Sequence, residues 1–505
     1  MAGIKSLAKD TAIYGMSSII GRFLNWCLVP LYVYMFPTDE YGIVSYLYSF
    51  TAVALVILNY GMETGFFRFA NKADDPQKVF TTSLISVGST SLIFMLLATL
   101  FITPLSELLK LPEHADYVWM LAIVVAIDAF SNLPFVYLRY KRRALRFASI
   151  KMLNVGLNIS LNLFFILACP WIDDNAPSLI SWFYEPAGGA EFGIGWIFVA
   201  NFISSIVILL MLLPELMVKY RFDAALLRQM LGYSWPLLVL GVAGIMSQNM
   251  GQMIIPHLFD DEQAAHSMVG IYGANIKIAI VMVMFTQAFR YAYEPFIFAR
   301  AQGEDKTQSY CDAMKFFVIF GLMIFLGVMF FLPLLKHFVS EPYWEGLKIV
   351  PVMMMAELFF GVFFNLSLWY KLTDRTQWGM YFSLMGFALM FGLNILFVPM
   401  IGIPDGYVGS AWAAFISYLV MMLVSYFVGR RYYPLPYEIK RMGLYLAVAA
   451  ISYFLGEYAF NFPTAMWLTY TLRIVLLLGY IVLVALLENV PLLTPLIKRL
   501  MSKLG

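Results

Sequence analysis

The side chains with chemistry to offer are few, and most stand alone in apolar sequence. Arg22 lies near the middle of the apolar run 11–36. Tyr14, Ser18, Arg22 and Asn25 follow one another at spacings of 4, 4 and 3, which sets them on one helical face. A second polar stripe, Gly241, Gly244, Gln248 and Gln252, runs through 229–256. Lys277 stands near mid-depth of the run 267–292, and Arg290 and Glu294 are one turn apart towards its end. Asp128 and Glu357 are isolated acids inside two further runs. A guanidinium or ammonium in such surroundings binds anions through charge-assisted hydrogen bonds or pairs with a carboxylate. A carboxylate there carries a proton, holds Na⁺, or is bonded internally. Both alternatives stand at each position. Arg22 lines a polar cavity or forms a structural bridge to Asp128 or another acid. Lys277 binds a ligand or pairs with a carboxylate. Arg290 binds a ligand or pairs with Glu294. Asp128 and Glu357 couple an ion or are hydrogen-bonded within their own lobe. Lys151 and Lys315 are close enough to the cytoplasmic side to reach water and read as structural, and Arg473 is placed to touch a lipid headgroup.

Enzyme signatures are missing from the sequence. His114, His257, His266 and His337 fall in connecting loops and belong to no HExxH or Ser/His/Asp pattern. There is no GxxxxGK[ST] phosphate loop, so no ATP motor is built in. Cys27, Cys169 and Cys311 are scattered through apolar stretches without a CxxC pair and read as packing residues, not as a disulfide or metal framework. No cofactor and no metal is expected, only coupling to H⁺ or Na⁺. The net charge of +2 points to no nucleic-acid partner.

The elements that position these residues follow from composition. Of 505 residues, 61% are hydrophobic and 13% charged, against about 45–50% and 25% in soluble domains. Mean hydropathy is +0.78. Long unbroken apolar runs, such as Val79 to Ser106, exclude a β-barrel pattern. The chain reads as an all-α polytopic membrane protein of about fourteen spans, the first over 11–36, the sixth over 192–214 and the last over 465–487. Basic residues cluster in alternate loops, among them Arg139 to Arg146, Arg430 to Arg441 and Lys498 to Lys503, whereas the opposite loops hold only Lys110, Lys336 and Lys348. That alternation places both termini in the cytoplasm. Lys5 and Lys9 precede a first span too long for a cleavable signal. The longest loop, Trp171 to Glu191, is acidic.

An internal repeat divides the spans. Span 4 ends in Leu138-x-Tyr-Lys141 and span 10 in Leu368-x-Tyr-Lys371, with Asp128 lying 13 and Glu357 lying 14 residues ahead. Pro30 of span 1 and Pro256 of span 7 are each followed by an acidic loop and then by Tyr41-Gly42-Ile43 or Val269-Gly270-Ile271. Leu161-Asn162 and Leu393-Asn394 complete the series. This order predicts two pseudo-symmetric six-helix lobes, residues 1–218 and 219–435, related by an axis along the membrane normal around a central cleft, with a C-terminal helix pair and short tail over 436–505. Aligning the two prolines sets Arg22 against Gln248, so that the polar stripes face a common cavity.

On these residues, together with Asp39-Glu40-Tyr41-Gly42, Tyr272, Pro399, Gly402 and Gly409 to Ala414, nearly the whole chain resembles the multidrug/oligosaccharidyl-lipid/polysaccharide flippase superfamily, and within it the bacterial O-antigen and capsule polysaccharide flippases. The resemblance implies alternating access in the bacterial inner membrane. It implies undecaprenyl-diphosphate-linked oligosaccharide as cargo, moved from the inner to the outer leaflet. Arg22 and Lys277 would hold the diphosphate or acidic sugars, with Arg290 nearby on span 8. Asn25, Gln248 and Gln252 would bond sugar hydroxyls. Asp128 and Glu357 are the candidates for ion coupling. Partners are membrane lipids and the polysaccharide polymerase and chain-length machinery, and the protein is expected as a monomer. A lipid II flippase and a cation-coupled multidrug exporter are alternatives. A membrane polymerase or ligase is further off, because such enzymes present a large outer loop with Arg or His. A non-catalytic scaffold is the remaining reading.

Overall fold

A computed structural model describes residues 14–300 apart from 16 and 18, residues 306–489 apart from 374, 376, 461, 463 and 464, and residues 494 and 495; within these, the side chains of 291, 292, 294–300 and 306 are not described. Every regular element among the described residues is helical. In chain order the apolar helices are α1 (Ile19–Met35), α2 (Thr38–Ala70), α3 (Pro76–Leu100), α4 (Pro112–Tyr140), α5 (Ala144–Asn175), α6 (Gly195–Met211), α7 (Ala224–His257), α8 (Glu262–Arg300), α9 (Thr307–Phe330), α10 (Glu341–Leu372), α11 (Gln377–Ile401), α12 (Gly406–Tyr432), α13 (Ile439–Ala459) and α14 (Met466–Glu488). Twelve of these are long and apolar enough to cross a membrane; α1 and α6 are shorter. Twelve spans are thus confirmed by length and composition among the described residues, and the expected count of about fourteen is not. At 17 residues, α6 rises about 25 Å, less than a hydrocarbon core of about 30 Å. It starts after Gly193, whose φ is +53°, and Pro214 sits in the turn that follows it.

The helices fall into two compact units. The first comprises the chain through Ala274 together with Ser383–Ser410; the second comprises Asn275–Phe382 and the chain from Ala411 on. In the first unit, α3 packs on α4, and α2 on α7. Phe66, Phe80, Leu133, Tyr137 and Met230 form a buried core in which the Phe80 and Tyr137 rings stack at 4.0 Å. The starts of α3 and α7 are tied together by their own caps. Asp75 accepts from the amides of Gln77 and Lys78, and Asp223 accepts from the amide of Leu226. Lys78 then pairs with Asp223 at 2.6 Å, and Arg221 with Asp75 at 3.4 Å. The Lys78 hydrogen bond holds the Asp223 carboxyl below the usual carboxylate range. The long acidic loop folds into short helical turns around Tyr184, whose ring stacks on Trp196 at 5.3 Å and whose hydroxyl is pushed up to about 12 by burial.

In the second unit α9 packs on α10, α13 and α14. Two cations tie these helices together, Lys315 in a structural role but away from water, and Arg473 away from lipid. Lys315 does not reach for water: it is 5% exposed and contacts Asp312, Glu438 and Glu488 at 3.3, 2.9 and 2.8 Å. Arg473 does not meet lipid: it is 1% exposed and donates to the carbonyls of Gly456 and Phe330 and to the Glu457 carboxylate. A charge in a membrane interior persists where bonded partners surround it, and each of these cations has three.

Candidate functional site

Within the first unit, α2 and the first turns of α8 cross at the two glycines of the repeated Tyr-Gly-Ile and Val-Gly-Ile segments. A Cβ on Gly42 would overlap the His266 carbonyl, and one on Gly270 would overlap the Thr38 carbonyl. Only hydrogen fits at either place, so the backbones touch, as small residues allow between membrane helices. Side chains pin the crossing: Thr38 and Ser267 share a hydrogen bond at 2.7 Å, and Gln263 donates to Asp39 at 3.1 Å. Beside it the Tyr46 hydroxyl bonds His257 Nε2 at 2.9 Å. His266 is 4% exposed and lies edge-on to Tyr46 at 5.6 Å, with neither ring nitrogen hydrogen-bonded among the described residues. The expectation that His257 and His266 sit in loops is corrected: both belong to apolar helices, and their proximity is tertiary.

The polar stripes of this unit divide by burial. Gln252 is buried, with its Nε2 3.6 Å from where a Gly273 Cβ would stand and Ser45 alongside. Gln248 is exposed on α7, as Arg22 and Asn25 are on α1. Gly251, next to Gln252, packs against Ser410 and Tyr272. Deeper in the unit, Asp128 of α4 accepts from the Ser205 hydroxyl of α6 at 2.8 Å. Lys151 of α5 acts on it electrostatically and lies over the Phe135 ring at 4.2 Å. Glu63 is paired with Arg139. Asp128 thus sits in an internal polar chain across α4, α5 and α6. Ser205 was missed in the sequence; the Ser204-Ser205 pair inside the apolar run 192–214 is the signal that marks it.

In the second unit, Lys277 is half-buried on α8, and Arg290 lies over the Phe364 ring of α10 at 4.2 Å. The pairing of Arg290 with Glu294 concerns a side chain outside the described residues. Glu357 is half-buried on α10, and no hydrogen bond or ion pair to it occurs among the described residues. Its repeat partner Asp128 has the Ser205 bond. Among the described residues no three His, Cys, Asp or Glu side chains converge on a metal position.

The model of the polysaccharide biosynthesis protein family matches residues 7–298, more than half of the chain. The chain belongs to that family. No curated protein sequence matches it. Among solved structures, the lipid II flippase MurJ in an inward closed conformation superposes with a TM-score of 0.71 at 13% identity, covering 95% of this chain and 99% of MurJ. An inward-facing multidrug resistance MATE transporter of the MOP superfamily gives 0.62 at 16% identity, over 81% and 94% of the two chains. An outward-facing MATE transporter gives 0.56 at 15%, over 84% and 95%. At these identities the likeness establishes the fold alone, a helical architecture like that of MurJ and the MATE transporters. The family member described here is accordingly a multi-pass membrane protein of that architecture.

Proposed function

We propose that this protein is a flippase that carries an undecaprenyl-diphosphate-linked oligosaccharide from the inner to the outer leaflet of a bacterial cytoplasmic membrane by alternating access. The observation that carries the reading is the family match: a polysaccharide biosynthesis chain whose fold, over 95% of its length, is that of a protein named for flipping lipid II. In this reading the repeat reflects two lobes, 1–218 and 219–435, with 436–505 added, and both termini are cytoplasmic. Arg22 and Lys277 take the diphosphate or acidic sugars, because cations offer phosphate oxygens charge-assisted donors. Arg290, on the same helix as Lys277, is a further cation for the substrate. Asn25, Gln248 and Gln252 bond sugar hydroxyls. H⁺ or Na⁺ drives the cycle through Asp128 or Glu357, and polysaccharide polymerase and chain-length machinery receive the product.

The test is transfer of a fluorescent lipid-diphosphate oligosaccharide across proteoliposome leaflets. Wild type is expected to move it, and Arg22→Ala with Lys277→Ala, folded by circular dichroism, to lose at least tenfold in rate, the worth of one charge-assisted contact to phosphate. Wild type that moves no lipid would sink the proposal. Transport surviving both substitutions would keep the flippase and remove these two residues from it. A second reading, a cation-coupled drug exporter, is favoured by the carboxylate of Glu357, to which no bond is described, and by the likeness to MATE transporters. Proton-dependent efflux of a cationic dye without lipid movement would select it.

A further inference from the structure

The second unit holds a recess apart from the residues of the candidate site. An apolar groove of about 530 Å³ runs between α9, α10, α12 and α13, walled by Val318, Leu358, Val362, Leu423, Phe427 and Leu446. Leu423 and Phe427 are 41% and 61% exposed, so the groove is open along its length to whatever surrounds the helices. At one end it meets a polar basin of about 850 Å³ formed by the α12–α13 connection. Tyr426, Arg430, Tyr437 and Ile439 line both spaces, and Lys440 and Arg441 line the basin.

The charges in the basin are unequally matched. Glu438 is its only carboxylate among the described lining residues, and it is already engaged by Lys315 at 2.9 Å and by Arg441 at 3.0 Å. Arg430 and Lys440 make no hydrogen bond or ion pair among the described residues. Burial pushes the Tyr437 hydroxyl well above its usual range, so it stays protonated and can donate. Two uncommitted cations and a hydroxyl donor at the mouth of an apolar groove call for one kind of ligand, an anionic head on an apolar tail. Basic pockets between membrane helices take such headgroups, and a groove of this volume is of the size that holds one small ligand.

We propose that this recess binds an anionic phospholipid of the surrounding bilayer, an acyl chain lying in the groove and the phosphate on Arg430 and Lys440. A bilayer phospholipid reaches the groove sideways, past Leu423 and Phe427, without passing through any transport path. Because the groove is walled by α9, α10 and α12 on one side and α13 on the other, the lipid braces the C-terminal helix pair against the rest of its unit.

The full-length protein, stripped of lipid in detergent, tests this by native mass spectrometry and thermal unfolding with cardiolipin, phosphatidylglycerol, phosphatidylcholine or inorganic phosphate added. The anionic phospholipids are expected to remain bound and to raise Tm, while phosphatidylcholine and inorganic phosphate do neither. Arg430→Gln with Lys440→Gln is expected to cost about thirtyfold in apparent affinity, at the usual worth of a basic residue beside anionic lipid. Gly443 lines the groove, and a Cβ there meets open space. Gly443→Leu therefore fills the groove without disturbing the fold, and it is expected to abolish retention. Equal binding of anionic and neutral lipids, or binding untouched by both variants, would overturn the proposal. So would displacement of cardiolipin by a sub-stoichiometric polyprenyl phosphate, which would make the transported lipid the occupant.

Discussion

The α2–α8 crossing in the first unit and the Lys315 knot in the second hold helices together by opposite means. At the crossing the contact is backbone on backbone, and hydrogen is the only side chain that fits at Gly42 and Gly270. In the knot a single ammonium on α9 is shared by Asp312 of its own helix, Glu438 ahead of α13 and Glu488 at the end of α14. A steric contact has no redundancy at its centre. A charge knot has redundancy at its spokes and a partial second hub, since Arg441 also reaches Glu438 and Glu488 at 3.0 and 3.5 Å. The difference teaches where each half of the molecule is fragile.

The sharpest way to break the comparison is to remove the hub. Lys315→Met leaves Glu488, with a side chain 5% exposed, and Glu438 with the half-exposed Arg441 as their remaining shared cation. Removing one partner of a buried ion pair costs up to about 3–5 kcal/mol, and detergent unfolding curves should show the largest loss here. Gly42→Ala comes next. The added methyl meets a carbonyl that belongs to a packed helix and cannot step aside, so about 2–3 kcal/mol of overpacking is expected. Gly244→Ala is its control: a Cβ there meets open space, and no loss should appear. If the two alanines behaved alike, the crossing would not be a steric contact at all.

A spoke should matter less. Asp312 is 38% exposed and is one of three carboxylates on Lys315, so Asp312→Asn should cost less than about 1 kcal/mol. A cost like that of Lys315→Met would mean that the knot has no redundancy. The smallest effect belongs to the capping pair of the first unit. Asp223 is held below its ordinary range by Lys78, so the unfolded chain binds its proton at higher pH than the folded one. Its contribution is complete above the unfolded value of about 3.9 and is lost as pH falls through the lower folded value. Melting temperatures of wild type and Asp223→Asn should therefore converge as pH drops from 5 towards 3. Divergence in that window would show that the Lys78 bond does not stabilise the fold.

Much of this was legible beforehand, for identifiable reasons. Apolar run length marks helices because the bilayer demands about twenty apolar residues per crossing, and α2 through α5 and α7 through α14 fall where the runs are. Alignment of Tyr41-Gly42-Ile43 with Val269-Gly270-Ile271 singled out the glycines that meet, although equivalence in a repeat does not by itself imply contact. Other features left no local trace. Lys315 looked like a residue reaching water because Glu438 and Glu488 lie more than a hundred positions away. His266 looked like a loop residue because Asp260, Asp261 and Glu262 precede it, yet α8 begins at Glu262 and carries the histidine inside. Arg473 gave no sign of the two carbonyls waiting for it at Gly456 and Phe330.

By itself the sequence determined that this chain is an all-helical, multi-pass membrane protein, because hydropathy and charge alternation act on each segment separately and need no partner to be read. Only the tertiary structure decided which polar groups are paired inside, as with Lys315, Arg473 and Asp128, and which cations, as with Arg430 and Lys440, have no ion pair among the described residues. Pairing depends on which helices lie side by side, and a segment's own composition does not encode its neighbours.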